Sequence, residues 1–193
     1  MPLAIEVADE SHLPCPAWVW SNLSNVHVAK DRSWFGNDYT PFESFLEDGL
    51  IKVIGVGTVD LPVKLGPDSH SILRLENVLH VPNMFCNIVG DLTRHGYGML
   101  VNKFVDEWTN QTVAHLTVDH DLWVVVLSEF PHGPRVGPSP FEKSTCYSIS
   151  ATWPETERLR FEALKQPRPA LQDQPVLKSL TSDEQKRLEK KAA

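Results

Sequence analysis

The stretch "GLIKVIGVGTVDLPVKLGPDSHSILRLENVLHV", residues 49–81, restricts the fold more than any other part of the chain. Apolar positions alternate with polar ones through Ile51, Val53, Val59, Leu61, Val63 and Leu65. The pattern stops at Gly66-Pro67-Asp68-Ser69 and resumes through Ile72, Leu73, Leu75, Val78, Leu79 and Val81. Successive side chains of a strand point to opposite faces, so each run buries one face, and the Gly-Pro-Asp-Ser break supplies the return. A long β-hairpin is the expected result.

The flanking segments carry the same signature. "WVW" at 18–20 is an aromatic strand entering a polar turn. "NIVGDLTRHGYGMLVNKF" (87–104) reads as a strand, a short helix starting near Asp91, and a return at Gly96-Tyr97-Gly98. "VDEWTNQTVAHLTV" (105–118) gives two strands about a turn at Thr109-Asn110-Gln111, and "DLWVVVL" (121–127) closes the series. Short strands at close spacing, with little helix, point to a small closed or nearly closed barrel.

The expected organisation is a lead over residues 1–16, a barrel over 17–128, and a Pro-rich linker with a short-helix extension over 129–193. "SEFPHGPRVGPSPFEKS" (128–144) has the composition of a linker, or of an arm laid on a surface. In "TWPETERLRFEALK" (152–165), Pro154 suits a first helical position and acidic residues follow it. "LTSDEQKRLEKKAA" (180–193) carries a capping box, Thr181 with Glu184, and a basic end that reads as a solvated face.

Composition excludes several functions. With 18 basic against 25 acidic residues the net charge is −7, so broad nucleic-acid binding is not expected. No apolar run approaches the roughly 20 residues of a membrane span. The start "MPLAIEVADESH" has no basic and apolar leader pattern, and Cys15, Cys86 and Cys146 are odd in number and widely spaced. Together these point to reduced thiols in an intracellular protein of cytoplasm or nucleus. Cys86 with His80 or His95 lacks paired ligand spacing, so no metal and no cofactor are expected.

Four pieces, in order, resemble the protease region of Ty1/copia-type retrotransposon polyproteins, a retropepsin-like β-barrel. Trp18, Val19, Trp20, His27 and Phe35 fall without a gap on that family's Trp, apolar pair, histidine and phenylalanine. "VIGVGTVDL", with Gly55 and Gly57, is similar to its "V.G.G.V.L" segment. "LENVLHVPNMFCNIVGDLTRHGY" (75–97) is similar to its most specific stretch, and "DLWVVVL" to its closing strand. The resemblance implies a barrel that pairs as a homodimer and holds an extended peptide in the cleft by strand addition. It also implies that Ile88-Val89-Gly90 passes under the active-site turn and that His27 bonds across it.

The departure is the turn itself. Where the family has Asp-Ser-Gly, this chain has Ser21-Asn22-Leu23. An aspartic protease needs two carboxylates sharing a proton, one from each subunit. A serine hydroxyl does not ionise near neutral pH and cannot replace one. Asp31 and Asp68 lack the strand-turn context. The expectation is therefore a catalytically inactive domain acting in peptide binding or dimerisation. The alternatives are an active endopeptidase, aspartic-type or built on Ser21 with His27 as base, and a retroelement remnant without function. Trp18, Trp20 and Trp34 could stack on a ligand, but alternate tryptophans more often divide between core and subunit contact. One arrangement for the segment after Leu127 is that it folds back over the cleft in place of substrate.

Overall fold

The computed structural model describes residues 13–93 and 96–165. Its frame is the expected hairpin: β4 (Ile51–Gly66) and β5 (Ser69–His80) pair antiparallel about a tight turn at Pro67-Asp68. The pairs Val59↔Leu75 and Leu61↔Leu73 set four fully buried side chains on one face. Burial alternates with the pleat at these pairs, whereas Ile51 and Ile72, expected on the buried side, are exposed.

Around this hairpin lie β1 (Trp18–Trp20), β2 (Val28–Ala29), β3 (Thr40–Leu46), β6 (Asn87–Val89), β7 (Tyr97–Leu100), β8 (Lys103–Asp106), β9 (Thr112–Asp119) and β10 (Leu122–Val125). The sheet order is β3-β4-β5-β2-β6-β1-β10-β9-β8-β7. Its ladder is open, with β3 and β7 at its ends, so the sheet is barrel-like rather than a closed ring of ladders. One isolated bridge, Val63↔Leu127, ties the far half of β4 to the chain just after β10. Lys64 N–H donates to Val126 O and Ser128 N–H to Pro62 O, both at 3.0 Å. A 16-residue strand can serve two such edges because its near half pairs with β3 and its far half does not.

Three apolar clusters fill the fold, the smallest around Ala17, Val19, Cys86, Val124 and Phe141. Of the two larger ones, one holds Trp18, Trp34, Leu61, Leu73, Leu75, Val89 and Phe104; the other holds Val26, Val28, Phe42, Val53, Leu79, Ile88, Ala151, Trp153 and Phe161. Neighbours Ile88 and Val89 point into different clusters, as alternation on β6 requires. Trp18 and Trp34 are core residues meeting edge to face, 5.5 Å between ring centres. Gly55 and Gly57 have a packing reason. A Cβ on Gly55 would lie 2.2 Å from the Tyr39 hydroxyl, and one on Gly57 would lie 3.1 Å from the Phe35 ring.

The buried Asn87 stitches the lead to the sheet: its Nδ2 donates to Cys15 O and its Oδ1 accepts from Lys30 N–H. After β10 the chain is irregular up to α1 (Glu155–Lys165), where Pro154 O accepts from Glu157 and Arg158 N–H. Glu155 and Glu157 occupy the first turn and Lys165 the last, which suits the helix dipole. Of the described residues, those up to Phe161 form one compact unit, and the second is described only over 162–165. The helix expected near Asp91 falls partly on residues 94–95, and the capping box at Thr181 wholly on others, outside the described residues. No helix among the described residues is long and apolar enough to cross a membrane.

Candidate functional site: the Ser21–Asn25 turn

β1 runs parallel to β6 with Trp20 opposite Val89, and Ser21 N–H continues the ladder by donating to Val89 O at 3.0 Å. The chain then reverses, with Ser24 N–H donating to Ser21 O at 3.2 Å. Ser21 is buried, whereas Leu23, where the family pattern has glycine, is 72% exposed. Its bulk therefore crowds nothing in this conformation.

The structure brings Ser21, Asn22, Leu23, His27 and Ile88-Val89-Gly90 together. Gly90 N–H donates to His27 Nδ1 at 3.0 Å, which leaves the neutral ring protonated at Nε2. A Cβ on Gly90 would sit 2.2 Å from Val26 O, so only glycine lets this segment pass beneath the turn. Gly55 and Gly57 belong to the Tyr39 and Phe35 neighbourhood instead.

The turn is also bonded to residues more than 120 positions away. Ser21 Oγ donates to Ile149 O at 2.8 Å. Ala151 N–H donates to Ser24 Oγ at 2.8 Å, and Asn25 N–H to Ala151 O at 3.2 Å. The Asn25 carboxamide meets Trp153 in both directions: Oδ1 accepts its N–H at 2.7 Å and Nδ2 donates to its O at 3.0 Å. Arg158 Nη2 donates to Asn25 O at 3.0 Å. From the opposite side Glu47 N–H, at the β3–β4 connection, donates to Thr152 O at 3.0 Å. Residues 149–153 thus lie as an extended peptide between the turn and the β3–β4 connection.

Beside the turn is an open cavity of about 400 Å³, bounded by Asn22–Asn25, the Gly90–Thr93 loop, Trp20, Tyr97 and Met99. Trp20 also packs on Phe104, 6.5 Å between ring centres. Asp91 is the carboxylate at its wall, and its Oδ1 accepts from both Thr93 N–H and Thr93 Oγ1. Asp31 accepts from Cys15 N–H, and Asp68 sits in the β4–β5 turn. Sequence reasoning missed Ser24 and Asn25; no local pattern distinguishes them from ordinary turn residues.

Burial pushes the Cys86 thiol up to about 12 and raises that of Cys15, while Cys146 is exposed. Thiolate is the reactive form. We therefore expect Cys146 to react with an aromatic disulfide reagent at least tenfold faster than Cys15 or Cys86, counted by mass at pH 8. His80 shares a 2.9 Å hydrogen bond with Tyr39, and burial lowers its pKa. Among the described residues no group of three or more His, Cys, Asp or Glu could hold a metal ion.

The architecture defines a mainly-β, barrel-like domain whose strand-turn motif is hydrogen-bonded to residues 149–153 of its own chain. Residues 18–97 match the family model described as "Pol polyprotein, beta-barrel domain", which supports an origin in a retroelement Pol polyprotein. Comparison with curated proteins and with solved structures gave no match.

Proposed function

We propose that this is a catalytically inactive retropepsin-like domain of Ty1/copia origin, adopted as a module that holds extended peptide without cutting it. One observation carries the reading. The turn offers no carboxylate, and its polar groups are engaged with peptide backbone, Ser21 through Ile149 O and Asn25 through Trp153.

Aspartic proteolysis requires one carboxylate to act as base on water while its partner is the acid. A serine at that position supplies neither. A serine nucleophile would need its hydroxyl proton directed at a base, whereas here it points at a carbonyl. Main-chain pairing, by contrast, needs only donors and acceptors at strand spacing, and the turn keeps these.

The test is a mixed peptide library incubated with the protein from pH 4 to 8, read by mass, beside a Ser21→Ala variant. No products are expected from either. Products that disappear in Ser21→Ala would overturn the reading in favour of a serine enzyme; products that persist would do so in favour of a carboxylate. Pairing into a homodimer belongs to the same proposal and is read separately by sedimentation velocity.

A further inference from the structure

We infer that residues 149–161 are a resident, displaceable peptide ligand of this domain. Resting on the peptide-binding reading above, the groove's ligand class becomes an extended peptide with a small residue two positions before Trp-Pro.

The bonds to the segment are those of a bound strand. Ala151 uses both its N–H and its carbonyl toward Ser24 and Asn25, while Thr152 presents its carbonyl to Glu47 on the other side. Alternation of this kind is how an extended backbone is held between two edges. Asn25 then reads the backbone of Trp153 as a neighbouring strand would, with one acceptor and one donor.

Two positions set the selectivity. Ala151 is buried, in one cluster with Val26 and Val28, and a longer side chain there would have to displace them. Trp153 is 1% exposed; its ring packs on Phe42 and Phe161, and its indole N–H donates to Ser44 Oγ at 3.0 Å. A buried hydroxyl that accepts an indole proton selects tryptophan over phenylalanine, because phenylalanine would leave it short of a donor. Pro154 ends the extended run, and α1 adds Arg158 on Asn25 O.

The tether supports displacement. Residues 142–146 are exposed, spanned by Thr145 N–H to Glu142 O at 3.3 Å and by Glu142 N–H to the Tyr147 hydroxyl at 2.7 Å. A ligand on a tether this short acts at an effective concentration of about 1 mM or more. A free peptide of micromolar affinity would therefore hardly compete in the intact chain, and would bind once the tethered copy is weakened or cut.

The experiment uses the full chain and a fluorescent peptide spanning residues 147–165, read by anisotropy. Wild type is expected to show no binding at about 100 μM peptide, given that competition. Ala151→Arg in the chain, which disables the tethered copy alone, is expected to improve binding at least tenfold. Peptides carrying Ala151→Arg or Trp153→Phe are expected to bind at least tenfold more weakly to that variant. A variant that melts cooperatively yet does not bind the peptide overturns the inference.

If the variant does not fold, a specific protease site placed between Lys143 and Ser144 of the full chain replaces it. After cleavage of the folded protein, exchange of the labelled peptide for the resident segment supports the inference. A segment that stays without exchanging, or leaves without the peptide taking its place, overturns it. Cleavage of the bound peptide would instead overturn the inactive-domain reading while leaving the groove assignment standing.

Discussion

Gly90→Ala is expected to destabilise the domain by about 3 kcal/mol or more, at or above the upper end of ordinary overpacking. The added methyl would stand 2.2 Å from Val26 O, 2.7 Å from Val26 C and 2.9 Å from Val26 N. All three are backbone atoms, so no rotamer change relieves the overlap. Either the Ser21–His27 reversal moves or Gly90 does, and Gly90 N–H then loses His27 Nδ1. Gly66→Ala is the control. There the nearest atom to a new Cβ is 3.8 Å away, an ordinary contact. Urea unfolding of the two variants beside wild type measures the difference. A Gly90→Ala midpoint equal to that of Gly66→Ala would mean that the two segments do not cross this closely.

Asn25→Asp is expected to weaken the hold on Trp153 by about 1–3 kcal/mol near neutral pH, the range for a buried polar group left without its partner. One carboxylate oxygen can still accept Trp153 N–H, but the other replaces a donor that faced Trp153 O. Two acceptors then confront each other. Protonation restores a donor, so the variant's folded state favours the neutral acid and its pKa rises above the unfolded value. A group with a raised folded pKa contributes stability below its unfolded pKa, and that contribution is lost as pH rises through the folded value. The deficit relative to wild type should therefore shrink on going from pH 7 toward pH 4. Thermal melts at the two pH values, with Asn25→Ala as a pH-independent reference, provide the measurement. A deficit of the same size at both would sink the bidentate assignment.

Both experiments bear on residues that differ in how far the sequence gives them away. Gly90 stands out locally, because two apolar residues before a glycine and an acid mark the end of a buried strand. The β4–β5 hairpin is still plainer. Its alternation from Val53 to Val81 marks most of the buried side chains, although Ile51 and Ile72, apolar positions of the same pattern, are exposed, and Gly-Pro-Asp-Ser fixes where it reverses. The start of α1 after Pro154 is likewise local, since proline and early acidic residues suit an N-terminus whatever the helix packs against.

Closure of the sheet is a different matter. The short strands suggest a barrel, but how far the sheet wraps round depends on whether the far half of β4 meets the chain after β10. That contact is a single bridge at Val63 and Leu127, between residues far apart in sequence, and the ladder itself stays open at β3 and β7. The composition of residues 128–144 marks an arm and says nothing of where it lies.

By itself, then, the sequence determined the hairpin, the run of strands, the helix start and the absence of an acidic residue from the Ser21–Asn25 turn, because each is read within a few positions. Only the tertiary structure decided that Ser24 and Asn25 hold Ala151 and Trp153. Those bonds join residues 127 and 128 positions apart, and three of their donors and acceptors are backbone groups that every sequence possesses. A backbone hydrogen bond leaves no mark on the side chain above it, so the peptide in the groove was invisible until the chain was folded around it.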